Sequence, residues 1–98
     1  MENVLNNLKT MIHEQINERQ RIFRNIDQLE ADLEVCYSDK RSGCYTGVEL
    51  QELEFDMAEK EELLDALYKD LACVNYMLRQ LRNKRALVEV EVRNWMGQ

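Results

Sequence analysis

The sequence predicts an all-α fold, an antiparallel coiled-coil helical hairpin, and three observations carry that prediction. Proline is absent and only three glycines occur among 98 residues, so little in the chain can break a helix. Apolar residues recur at alternating spacings of three and four in both halves, which is the pattern of a coiled-coil seam. The two periodic stretches are separated by a short break that contains glycine, and a connection that short folds the helices back on one another.

The first helix is expected over about residues 3–42, with Asn3 as its cap. Its seam runs through Leu5, Leu8, Ile12, Ile22, Ile26, Leu29, Leu33 and Cys36, with Gln15 and Arg19 as polar interruptions. Lys40 and Arg41 place positive charge at the negative end of the helix dipole, and Gly43 easily takes the left-handed conformation that follows a helix.

Residues 43–45 read as a tight turn. The helix restarts at Thr46-Gly47-Val48-Glu49, an S/T-x-x-E capping box, with Tyr45 and Leu50 placed for the accompanying hydrophobic staple. The second helix is expected over about 47–96. Its seam is Leu50, Leu53, Met57, Leu64, Leu67, Leu71, Val74, Leu78, Leu81, Val88, Val92 and Trp95, interrupted only by Lys60 and Arg85. Val88-Glu89-Val90-Glu91-Val92 alternates with a strand-like period of two, but the heptad continues through it, so 86–92 is read as helix.

A turn centred on residue 43 pairs seam residues whose numbers total 86: Cys36 with Leu50, Leu33 with Leu53, Leu8 with Leu78, Leu5 with Leu81. That register brings Arg21 and Arg24 opposite Glu61, Glu62 and Asp65. It also leaves residues 82–98 as an overhang of roughly 20 Å, on which Leu87, Val88, Val92, Trp95 and Met96 await a partner. Residues 1–98 form a single hairpin unit in this reading. Ile16, Phe23, Leu63 and Tyr68 widen the apolar stripe in mid-hairpin beyond what a two-stranded seam uses. The expected assembly is a four-helix bundle dimer or a heteromeric helical complex, with those nine residues as the partner interface. Phe55, Tyr76 and Val90 share the heptad position that points away from the seam, where single exposed apolar residues are ordinary.

Composition narrows the function classes. No apolar run approaches the roughly 18–20 residues that span a bilayer, and no basic-then-apolar signal layout opens the sequence. Cys36, Cys44 and Cys73 are an odd number without a CxxC pair, which suits a reducing compartment. A soluble intracellular protein, cytoplasmic or nuclear, is expected, with no membrane contact. Residues 48–78 carry nine acidic against two basic side chains, whereas 79–98 carry five basic against two acidic. Arg79, Arg82, Lys84 and Arg85 form a possible basic patch for phosphates. The overall pI of about 4.8 and the lack of a nucleic-acid motif weigh against that use.

Catalytic, cofactor and metal sites are not expected. His13-Glu14-Gln15-Ile16-Asn17 begins like H-E-x-x-H, but Asn17 stands where the second imidazole must be, and His13 is the sole histidine. Carboxylates on exposed helix faces have nothing to raise their pKa for acid–base work. No small-molecule substrate is implied by two helices alone, and no motif singles out a family. The leading expectation is a non-enzymatic coiled-coil assembly module whose partner is a second copy or another helical protein. The alternatives are a small acidic chaperone or inhibitor that holds a client or covers a basic target, and a nucleic-acid adaptor using the 79–93 basic cluster.

Overall fold

The computed structural model describes residues 2–97 and consists of two helices, α1 (Glu2–Ser42) and α2 (Gly47–Met96), packed as an all-α hairpin. No strand occurs among the described residues, so the alternating valines of 88–92 are helical. The heptad thus prevails over local β-propensity, because a lone strand would leave its backbone hydrogen bonds unmade.

The connection is residues 43–46, with Gly43 and Gly47 both at positive φ (74° and 60°). The Gly43 amide donates to the Lys40 carbonyl at 3.3 Å, and the Ser42 hydroxyl donates to the Asp39 carbonyl at 2.6 Å while accepting from the Cys44 amide at 3.3 Å. Thr46 and Glu49 make no capping hydrogen bond. A capping box needs helical dihedrals to follow the cap directly, and the left-handed Gly47 interrupts that sequence.

The hairpin divides into two compact units. One is Ile22–Asp70, which includes the connection; the other joins the residues up to Arg21 with those from Leu71 onward. In the first, Leu33, Cys36 and Met57 form a buried cluster against which Tyr37, Leu53 and Leu64 pack. In the second, Leu8, Ile12, Val74 and Leu78 are buried. Each fully buried apolar side chain contributes about 1.5–3 kcal/mol of transfer free energy. No polar side chain is buried among the described residues. The seam residues Gln15, Arg19, Lys60 and Arg85 are half-buried, with their polar ends reaching outward.

The register is not the predicted one. Cys36 packs with Met57 rather than Leu50, and Lys40 meets Glu54 at 3.4 Å. In the other unit Arg19 donates to Asn75 at 3.5 Å, and Glu2 shares a cleft with Val92, Trp95 and Met96. These partners lie about one seven-residue repeat further along α2 than a turn centred on residue 43 requires. A shift of one heptad keeps every seam side chain in the seam, so apolar spacing is blind to it. The four-residue connection permits it, and the first turn of α2 remains exposed apart from half-buried Leu50.

The expected overhang is shorter with that register, since Val88 and Val92 are half-buried and Glu2 in the first turn of α1 shares a cleft with Val92, Trp95 and Met96. Arg21 forms a bidentate pair with Glu18 on its own helix. Glu61 accepts a hydrogen bond from Tyr37.

Candidate interaction surface

With seam residues consumed by the hairpin, the apolar residues off the seam remain as candidates. Of the nine expected interface residues, Ile16, Val88 and Val92 are half-buried within the hairpin. Phe23, Leu63, Tyr68, Leu87, Trp95 and Met96 are exposed, the last two at 78% and 79%.

The mid-hairpin residues do not form one stripe. Tyr68 of α2 donates its hydroxyl to Glu30 Oε1 of α1 at 2.6 Å, and Tyr37 of α1 donates to Glu61 Oε1 of α2 at 2.5 Å. Both bonds cross the same edge of the hairpin. Phe23 lies one heptad before Glu30 and leaves on that edge too. Leu63 precedes Tyr68 by five residues, about 140° round the helix, and therefore leaves on the other edge. There it lines a depression of about 430 Å³ with Asn25, Gln28, Leu29, Ala66, Leu67 and Asp70. One edge is closed by tyrosine–carboxylate bonds and the other is open. These bonds hold both phenols above their ordinary ionisation range, the accepted carboxylate being the main cause and desolvation the next.

Sequence reasoning missed the lining of this depression. Seam spacing places Leu29 and Leu67 wholly between the helices, yet both are only half-buried. The signal was Ala66: a small side chain between Leu63 and Leu67 leaves room where a longer one would cover the seam.

Two further apolar features lie in the unit that holds the chain ends. Asn83, Ala86, Leu87 and Val90 line one on the outer face of α2, and Glu2, Val92, Trp95 and Met96 line the other. An acidic depression of about 590 Å³ in the other unit combines Phe55 and Ala58 with Glu59, Glu61, Glu62 and Asp65.

The four basic residues do not share a face. At 3.6 residues per turn, Arg79, Arg82, Lys84 and Arg85 spread round more than half of the circumference of α2, and Arg85 is drawn to Glu89 at 3.7 Å. Lys60 meets Asp56 at 2.5 Å, and that hydrogen bond raises the ammonium pKa against opposing desolvation. Asp56 also accepts a weak contact from the buried Cys36 thiol at 3.9 Å. Cys44, Cys73 and His13 are exposed. Among the described residues no three His, Cys, Asp or Glu side chains converge as a metal site, and no helix is long and apolar enough to cross a membrane. Compared with protein-family models, curated proteins and solved structures, the chain finds no match.

Proposed function

We infer that the chain is a non-enzymatic helical interaction module, whose hairpin assembles with helical partners through apolar surface its own two helices leave uncovered. One observation carries this reading: among the described residues nine hydrophobic side chains are buried, while fifteen large ones remain exposed. Scattered exposed apolar residues are normal, but here Leu63, Leu87, Val90, Trp95 and Met96 each line a depression that a neighbouring helix can fill. The test is particle mass, by sedimentation of the chain at micromolar concentration and by its elution in extract of cells that make it. A particle heavier than 12 kDa is expected in at least one, and a helical monomer in both overturns the reading.

A second reading, a small acidic chaperone or inhibitor, draws support from the depression where Phe55 sits among four carboxylates. An aromatic anchor ringed by negative charge suits a basic client. Reversing charge at Glu59, Glu62 and Asp65 separates the two: a module that assembles through apolar faces keeps its particle mass, and a client-holding surface loses its client.

A further inference from the structure

We propose that the outer face of α2 between Tyr76 and Arg93 is a docking surface for an acidic amphipathic helix of another protein. This rests on the interaction-module reading and names the chemistry of the partner.

Two lines of side chains run along this face, both within the unit that holds the chain ends. One line is apolar. Tyr76, Leu87 and Val90 are 60%, 67% and 48% exposed, and the last two line a depression of about 450 Å³ with Asn83 and Ala86. Tyr76 stands two heptads before Val90 and so emerges on the same side of the helix.

The other line is cationic. Arg79 and Arg93 stand one heptad before and after Ala86, and Arg82 stands one turn before it. At about 100° per residue all three leave the helix within about 40° of the Ala86 direction. They are exposed, and among the described residues none of them forms an ion pair.

Charge selects the occupant. The chain carries a net charge of −6, yet the carboxylates of this stretch stand aside from the face. Glu89, about 60° from Ala86, is drawn to Arg85 at 3.7 Å, and Glu91 leaves the helix about 140° away. A helix that seats its apolar stripe on Leu87 and Val90 therefore meets guanidinium groups along one side. Carboxylates beside that stripe are attracted there and lysines are repelled. The span from Arg79 to Arg93 is about 21 Å, which fits a partner helix of about four turns. A phosphate backbone engages the guanidinium groups alone, whereas a helix also covers the apolar line beside them.

The test measures binding of the whole chain to a fluorescent synthetic helix of about four turns, with a leucine stripe flanked by glutamates. The same helix with lysine for glutamate and a short DNA duplex are the comparisons. The glutamate helix should bind at least about tenfold more tightly than the lysine helix, and its affinity should fall as salt rises. Changing Arg79, Arg82 and Arg93 to Gln should weaken it at least about tenfold, and so should Leu87→Ser with Val90→Ser. Helicity should be unchanged in both variants, whose altered positions are all exposed. If one variant loses helicity, the other decides. Equal binding of the two helices, tighter binding of the duplex, or indifference to the variants overturns the proposal. So does a self-associated particle that dissociates with the same changes, since a second copy then covers the face. A chain that ignores the glutamate helix but forms a particle heavier than 12 kDa, alone or in extract, loses this proposal and keeps the broader reading.

Discussion

Tyr68 of α2 and Glu30 of α1 are joined at 2.6 Å across one edge of the hairpin, and Tyr37 and Glu61 repeat the arrangement with donor and acceptor exchanged between the helices. Each bond needs a neutral phenol, so folding raises both tyrosine pKa values above the unfolded value of 10.0. The stabilisation is then complete below about pH 10 and is lost as pH climbs through the higher folded values. Lys60, raised from 10.5 by Asp56, acts in the same direction. Thermal melts should hold level through pH 9 and fall above pH 10. The double variant Tyr37→Phe with Tyr68→Phe should melt lower at pH 8 and show a smaller alkaline drop. A drop of undiminished size in that variant places the alkaline sensitivity elsewhere.

The register makes a prediction about the C-terminal third of α2. Because Val88 and Val92 are half-buried and Glu2 shares a cleft with Val92, removing residues 83–98 should destabilise the hairpin and expose the first turns of α1 to amide exchange. Val88→Asp should cost about 1–3 kcal/mol in urea unfolding, as expected for placing a charge on an apolar contact. A free overhang would give neither effect.

Core and surface leucines on one helix should part widely. Leu78 is 1% exposed and Leu87 67%. Truncation of Leu78 to Ala should cost about 2–5 kcal/mol, and the same change at Leu87 within about 0.5 kcal/mol, both read from denaturant midpoints at constant slope.

Lys60 occupies a seam position and keeps its charge by pairing with Asp56. Lys60→Leu should raise the melting temperature, since it replaces a half-buried cation with apolar packing. It should also broaden the distribution of particle masses in sedimentation, because polar seam residues restrict oligomer choice. A variant more stable yet unchanged in mass distribution assigns Lys60 no such role.

Thiol chemistry separates the three cysteines. Cys44 and Cys73 are exposed and Cys36 is buried against Leu33 and Met57. A thiol reagent should titrate two equivalents quickly and the third only as the hairpin unfolds. Fast reaction of all three contradicts the burial of Cys36.

The helices were readable in the chain almost to the residue, because seam spacing, Lys40 and Arg41 at one end and glycine at the break all state the same thing at the same place. What the chain did not state openly was which seam residue faces which. Leu5 meets the seam equally well beside Leu81 or beside Val88, and only the geometry of the connection distinguishes them. The interface residues divided for a related reason. Heptad position told that Phe23, Leu63 and Tyr68 flank the seam, but the edge on which each emerges follows from the antiparallel pairing of the flanks. The cross-helix bonds of Tyr37 and Tyr68 make that pairing visible.

The two left-handed glycines gain a different significance from this degeneracy. Gly43 and Gly47, at φ of 74° and 60°, set the path of the connection, and the connection sets which heptad of α1 faces which heptad of α2. An alanine at either position strains the backbone by about 1 kcal/mol, so the residues that let the chain turn also hold the alignment in which Val88 and Val92 are half-buried.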